Sequence, residues 1–403
     1  MLKLALRNVT RHRLRGAMII TAIAFGVAGL ILIGGFIQDM FAQLAEATIH
    51  SQTGHIQLAR PGYFGAGSRS PEKFLIPDAE GLKRRISRAA DVEDVMARMR
   101  FSGLLNNGKT DLPIVGEGIE PDKEMRLGTY VVIKKGRALR DKDAYGIELG
   151  EGVANSLHLR PGDRVNLMVT TGDGAINVLD FDVVGIFQSF SRDYDARAVK
   201  IPLAAAQELL ATNGANVIVV ALRRTGDTDA AAAKIRARIE NAGLELKKWY
   251  EIDDFYAKAV RLYQRQFGVL RLIVLVMILL SVSNVLNMSI FERAGEFGTM
   301  RALGIRNKGV FESVVLEGFF IGVAGALAGC LLGVILGWAI SAIGIPMPPP
   351  PGSNLEYVAR IRLTSGVVVG AFLAGLIGTF LAILLPARRV SRLPIAEALR
   401  MLS

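Results

Sequence analysis

The sequence predicts a membrane α-helical protein in which four transmembrane helices carry one large extracytoplasmic α+β domain. Three observations lead there. The chain is 51% hydrophobic with a mean hydropathy of +0.35, too apolar for a soluble protein, yet 21% of it is charged, too much for a chain immersed in lipid throughout. The apolar residues gather into four stretches, 17–36, 267–290, 314–343 and 367–385, on the scale of the roughly 20 helical residues that cross about 30 Å of hydrocarbon. The basic residues collect at the ends of these stretches. Lys3, Arg7, Arg11, Arg13 and Arg15 precede the first, Arg293, Arg301, Arg306 and Lys308 separate the second from the third, and Arg388, Arg389, Arg392 and Arg400 follow the fourth. The positive-inside rule makes those three segments cytoplasmic and puts the long polar segment outside. The same placement accounts for the net charge of +11 without a nucleic-acid partner.

Taken in order, residues 1–16 read as a cytoplasmic elbow helix, because Leu2, Ala5, Leu6 and Val9 recur at helical spacing among the basic residues. No cleavage site follows, so the first apolar run is an anchor, with a stalk continuing it over 17–48. The domain occupies 49–250. Strands are expected at 55–58, 92–102, 217–222 and 244–249, and helices at 78–89 (opened by Asp78), 202–211 and 227–241. These make an α/β subdomain from 49–114 and 188–250. The turn-rich, alternating stretch 115–187 is an inserted β-rich subdomain.

Residues 251–290 return the chain to the membrane as a stalk and second span, with Ser281, Asn284 and Asn287 on one face. Such side chains either bond to a neighbouring helix, for about 0.6 kcal/mol each, or line a cargo path. A cytoplasmic loop, 291–309, leads to the third span, 310–343. Gly318, Gly322, Gly325, Gly329, Gly333 and Gly337 form a stripe there that lets another helix approach closely, within one subunit or between two. Glu317 beside it is paired, interfacial or engaged in transport. Residues 344–365 are a stiff Pro-rich outer loop, 366–386 the fourth span and 387–403 a cytoplasmic tail.

Several familiar chemistries are excluded. Gly103-Leu-Leu-Asn-Asn-Gly-Lys-Thr110 has Walker A spacing, but Asp111-Leu-Pro113 follows where a P-loop needs a helix, so Asn107-Gly108 is read as the turn of a hairpin. The lone Cys330 sits in a span, and His12, His50, His55 and His158 lack zinc-ligand spacing, so no metal site is expected. The acids of the domain read as solvated surface.

The loop between the second and third spans is the most informative stretch. Glu292, Arg293, Glu296 and Arg301 cannot lie in hydrocarbon, while Phe297, Met300 and Leu303 give an apolar edge at i, i+3 and i+6, which predicts a short amphipathic helix at the membrane surface. The run Glu292-Arg293-x-x-Glu296-Phe297-Gly298-x-x-Arg301-Ala302-Leu303-Gly304 resembles the coupling-helix signature of the FtsX/MacB/LolC family of ABC transporter permeases. The domain carries an ordered series that resembles the MacB-like periplasmic type: Val115-Gly-Glu-Gly-Ile119, Leu149-Gly150, Leu159-x-Pro-Gly-Asp-x-Val165, Phe181-x-Val-Val-Gly-Ile-Phe187 and Ala206-Gln-Glu-Leu-Leu210. Each motif is weak alone. Their order, with the spans, extends the resemblance over essentially the whole chain.

That resemblance implies a permease that is not itself an enzyme, working in the inner membrane with both termini cytoplasmic. ATP and magnesium are bound by a partner ATPase, present in two copies, and this chain binds no cofactor. A second permease copy or a paralogue, a lipid-anchored or amphipathic cargo and a periplasmic acceptor or adaptor complete the expected partners. The architecture is nearest the lipoprotein-releasing, LolC/LolE-type members, since MacB has its ATPase fused ahead of the permease. The alternative is mechanotransmission to an external partner, as in FtsX, whose outer domain is much shorter. In the coupling helix, Phe297 and Met300 are expected to fill an apolar pocket on the ATPase, with Glu296 and Arg301 at its rim.

Overall fold

Apolar sequence from Arg13 onward forms one long helix, α1 (Arg13–Thr48), which ends in a π-helical turn, Ile49–Thr53, closed by Gly54 at φ +65°. The computed structural model describes residues 13–394 apart from 67–70, 89–90, 240–241, 253, 350–353 and 355. The elbow helix expected over 1–16 therefore lies largely outside the described residues, and residues 13–16 already belong to α1. Two units are distinguished: one is the chain up to Phe41 with Val260–Met347 and everything from Val358, the other is Ala42–Ala259 with Pro348–Tyr357.

In the second unit, alternating β-branched sequence pairs into one ten-stranded sheet. Its strands are β1 (Ile56–Ala59), β2 (Val92–Asn106), β3 (Asp111–Ile119), β4 (Val132–Gly136), β5 (Gly146–Gly150), β6 (Arg164–Thr170), β7 (Ile176–Gln188), β8 (Ala198–Pro202), β9 (Val217–Leu222) and β10 (Glu245–Lys248). Between them run α2 (Ala79–Ser87), α3 (Pro121–Leu127), α4 (Glu151–Leu157), α5 (Leu203–Leu209) and α6 (Thr228–Ile239). Asp78 caps α2, its carboxylate accepting from the Gly81 amide at 2.9 Å. The order is β10-β1-β9-β2-β3-β8-β5-β7-β4, with β6 joined to β2 and β7.

β2 is the seam of this sheet. Val92 to Arg98 pair with β9, and Met99 to Asn106 pair with β3. The two largest cores of this unit lie one around Leu58, Ile86, Val95, Val220 and Ile235, the other around Phe101, Leu149, Leu167, Phe181, Ile201 and Leu209. The division expected at 114/115 and 187/188 is thereby redrawn: the end of β2, all of β8 and α5 pack into the second core. β8 is buried at all five positions and parallel to β3, so its run carries no alternation to tell which core it serves.

The P-loop look-alike is a hairpin. β2 and β3 pair as far as Asn106↔Asp111, and Asn107 closes the loop by accepting from the Lys109 and Thr110 amides, both at 2.9 Å, with Gly108 at φ +86°. The loop has four residues, 107–110, where a two-residue turn is expected, because the Asn107 carboxamide satisfies two amides at once. Strand follows where a phosphate cradle requires a helix N-terminus.

The acids of the domain are not all solvated. Glu117, Glu124, Glu148 and Asp195 are buried. Arg98 grips Glu124 in bidentate fashion at 3.0 and 2.6 Å; Arg100 Nε reaches Glu117 at 2.8 Å, and the Tyr194 hydroxyl donates to the same carboxylate at 3.1 Å. Burial pushes the Glu117 carboxyl up, but the Arg100, Arg98 and Lys200 cations outweigh it and hold its pKa at about 2. The Pro-rich loop is fastened as well. The Asn354 amide donates to the Phe190 carbonyl at 3.1 Å, its carboxamide donates to Asp195 at 2.8 Å, and it accepts from Arg192 at 3.1 Å.

The first unit holds the remaining helices: α7 (Asp254–Glu292), α8 (Ala294–Ala302), α9 (Asn307–Ile343) and α10 (Ser365–Ser391), with the first part of α1. Among the described residues, four helices are long and apolar enough to cross a membrane. The glycine stripe on α9 is taken up inside this one chain. Gly318 and Gly322 lie against Ile383 and Thr379 of α10, then Gly325, Gly329 and Gly333 against Ile23, Val27 and Ile31 of α1, and Gly337 against Ile361 and Leu363. By contrast, 11% of the apolar window of α7 is buried against 44% for α1, so α7 is the span with its surface left open.

Two outcomes follow. Glu117→Gln should destabilise the domain by about 3 kcal/mol near pH 7, the equivalent of its pKa depression. A carboxyl depressed on folding contributes fully above its unfolded value of about 4.5 and loses that contribution as pH falls through about 2, so the gap between wild type and variant should close over that window in thermal melts. In the membrane unit, a Cβ at Gly329 would stand 2.7 Å from the Val27 Cβ and 2.8 Å from the Ala24 carbonyl oxygen, whereas one at Gly268 meets nothing within 4 Å. Gly329→Leu should therefore lower the melting temperature of the single solubilised chain, by an overpacking cost of about 1–3 kcal/mol, and Gly268→Leu should leave it unchanged.

Candidate coupling helix

α8 begins directly after α7. Arg293 separates them with a non-helical φ of −101° and no side-chain cap bond. Gly304, at φ +94°, ends the helix in a Schellman motif: its amide donates to the Arg301 carbonyl at 3.0 Å and the Ile305 amide to the Met300 carbonyl at 3.1 Å. The Thr299 hydroxyl donates back to the Gly295 carbonyl at 3.0 Å.

The inner face is made of Ala294, Gly295, Phe297 and Gly298, all buried. Phe297 is 4% exposed and belongs to the apolar core shared with Val310, Val314, Ile383 and Val390. Met300 is half-buried against the same core. Leu303, at 80% exposed, points away. The expected apolar edge thus divides, because i and i+6 stand about 120° apart on a helix of about 3.6 residues per turn. Phe297 is a core residue and cannot also fill a pocket on another protein. Leu303, with Glu292, Glu296, Thr299 and Ala302, forms the exposed face, and Arg306 and Lys308 are exposed just beyond it.

The charges divide in the same way. Arg293 is 6% exposed; its guanidinium donates to Glu317 of α9 at 2.7 Å and to Glu296 at 3.0 Å, and lies over the Phe297 ring at 5.5 Å. Burial works against that charge, but Glu317 and Glu296 more than offset it and keep the Arg293 pKa above its ordinary value. Glu317 is accordingly a structural partner. Arg301, expected at a rim, instead donates to the Leu393 carbonyl just past α10. The sequence signal for these ties was slight, a lone acid near the start of the third span.

On α7, Ser281 and Asn284 are exposed and Asn287 is half-buried, its carboxamide oxygen buried without a hydrogen-bond partner among the described residues. The tail 395–403 lies outside the described residues.

Comparison with known proteins places this arrangement. Residues 17–238 match the MacB-like periplasmic core domain, and residues 268–395 match the FtsX-like permease C-terminal domain. The lipoprotein-releasing system transmembrane protein LolC of Neisseria meningitidis serogroup B is 23% identical, with 94% of this chain and 92% of that protein covered. LolE of Haemophilus influenzae is 22% identical with the same coverages, 94% and 92%. The macrolide export ATP-binding/permease protein MacB of Hyphomonas neptunium is 23% identical over 98% of this chain but 60% of its own length. Among solved structures, the periplasmic region of MacB from Actinobacillus actinomycetemcomitans aligns with 50% of this chain and 92% of that chain, at a TM-score of 0.37 and 14% identity. With one family domain matching over half of its length and a second most of the remainder, this chain belongs to the ABC transporter permeases that join a MacB-like periplasmic core domain to an FtsX-like permease domain.

Proposed function

We propose that the chain is one membrane subunit of a complex that uses ATP, hydrolysed by two copies of a separate ATPase, to draw a lipoprotein, lipid or other amphipathic cargo from the outer leaflet of the inner membrane. The observation that carries this reading is the way α8 is held. Phe297, the Arg293–Glu317 ion pair and the bond from Arg301 to Leu393 fasten its inner face to α9 and to the end of α10, so displacement of the outer face moves those helices together. Leu303 is an exposed apolar anchor among charged neighbours in sequence, the composition that a small, specific protein interface uses. ATP and magnesium stay with the ATPase, and this chain contributes the conformational step. The termini and α8 are cytoplasmic and the segment 49–250 periplasmic, following the placement of the basic residues.

The cargo class draws on the relatives. Proteins named for lipoprotein release are matched over 92% of their length, the MacB relative over 60% of its own. A second permease copy or paralogue completes the membrane part, with the open surface of α7 suited to meet it, and a periplasmic acceptor takes the cargo. A second reading, transmission of motion to an external partner without a moving substrate, draws on Asn354, which ties the loop between α9 and α10 to the domain.

Leu303→Asp should insert and melt as wild type but weaken ATPase association and stimulation at least tenfold, as loss of a central anchor does. Phe297→Ala should instead destabilise the permease by about 3–5 kcal/mol. Reconstituted ATPase assays with melting curves check both, and full stimulation by the Leu303 variant would overturn this assignment of the docking face.

A further inference from the structure

At the end of the spans from which the chain enters the domain, α1, α7 and α10 enclose a half-open groove of about 230 Å³. Its walls are apolar and small, with Leu30 and Gly34 from α1 facing Gly370, Ala371 and Ala374 from α10. Its mouth is polar, with Gln38, Arg271 and Thr364. The sequence fixes the depth of that mouth. Arg271 is the last charged residue before the uncharged run 272–291, Gln38 ends the uncharged run 16–38, and Thr364 stands at the start of the uncharged run 363–387. All three therefore sit at one boundary between hydrocarbon and headgroups. From Gln38 to Leu30, and from Gly366 to Ala374, the groove extends about 12 Å into the hydrocarbon, at about 1.5 Å per helical residue.

Arg271 is exposed and makes no ion pair among the described residues, which sets it apart from Arg293 and Arg362, whose guanidinium groups lie 2.7 Å from Glu317 and 3.6 Å from Asp39. An uncompensated cation at a bilayer boundary, above a furrow of small residues, is complementary to a molecule with an anionic head and an apolar tail. We propose that this groove binds one anionic phospholipid, its phosphate on Arg271 beside Gln38 and Thr364 and the upper part of an acyl chain along the furrow. The furrow is open where glycine stands: a Cβ at Gly366 or Gly370 would meet nothing within 4 Å, so the missing side chains leave room for the chain of a lipid. The site requires only that these helices span a membrane. It is filled with or without the ATPase and whatever the cargo, so its failure and the failure of the transport reading are separable.

Native mass spectrometry of the full chain in an uncharged detergent, without ATPase, tests this. Titration with phosphatidylglycerol and with phosphatidylcholine of the same acyl chains should leave one equivalent of the anionic lipid bound, with at least tenfold preference. Arg271→Gln should reduce phosphatidylglycerol retention to the phosphatidylcholine level. Gly370→Leu, whose Cβ would meet no protein atom within 4 Å, should reduce retention of both lipids while the melting temperature stays unchanged. Inorganic phosphate at millimolar concentration should not displace the lipid. Equal retention of the two lipids, retention unchanged in Arg271→Gln, or displacement by inorganic phosphate would each overturn the proposal.

Discussion

Arg293 stands where a membrane-spanning helix gives way to α8, with its guanidinium almost wholly withdrawn from water, and Glu317 at 2.7 Å makes that position tolerable. An unpaired charge there would cost several kcal/mol, and removing one partner of such a pair typically costs about 3–5 kcal/mol. The pair also fixes the roll of α8. With the guanidinium held between Glu317 and Glu296 and lying over Phe297, the phenylalanine is committed to the core shared with α9 and α10, and the opposite side of the helix is left to solvent. Leu303 is exposed as a consequence. The residue that the proposed docking face would present is thereby set by a buried ion pair on the other side of the helix.

α9 is the element around which the membrane unit packs, and its glycines set the order. Near Glu317 the stripe admits α10, in mid-span it admits α1, and toward its far end it meets the segment at Ile361 and Leu363. Glycine at successive turns removes the side chains that would hold backbones apart, so van der Waals contact can replace a hydrophobic driving force that lipid does not provide. The spacing was legible in the sequence as a surface for close approach. Which helix would use it was not, because a missing side chain carries no complementarity of its own.

The same distinction runs through the domain. The long apolar spans, the Asp78 cap, the strand at 217–222 and the hairpin in place of a P-loop all followed from periodicity and turn chemistry. The buried acids did not, since a glutamate in a strand reads as an outward position. Counting outward from a two-residue Asn107-Gly108 turn sets Arg100 opposite Val115; the four-residue loop 107–110 shifts the register by two and sets it opposite Glu117. The cross-strand pair of opposite charge shares its face with Arg98, Ser102 and Val115, while Met99 and Phe101 point to the other side of the sheet, so burial of Glu117 follows from that register and not from the residue type. In α8 three apolar residues at i, i+3 and i+6 do not form one edge, because helical rotation carries the third onto a different face.

α7 differs from the other spans in every respect that bears on assembly. Its apolar window is the least buried, its large side chains Leu272, Ile273, Val276, Met277 and Leu280 are exposed, and it carries the polar group Ser281, Asn284 and Asn287 in the half of the span that leads to Glu292. Lipid alone would satisfy the apolar part. It would not satisfy Asn287, whose carboxamide oxygen is buried yet receives no hydrogen bond among the described residues, a condition that costs about 1–3 kcal/mol. A donor from outside the chain, whether a second permease, a cargo group or water drawn in beside it, would remove that cost. In this fold α1, α9 and α10 hold one another, α8 is locked to two of them, and the unmet polar demand is concentrated on the one span left free to answer it.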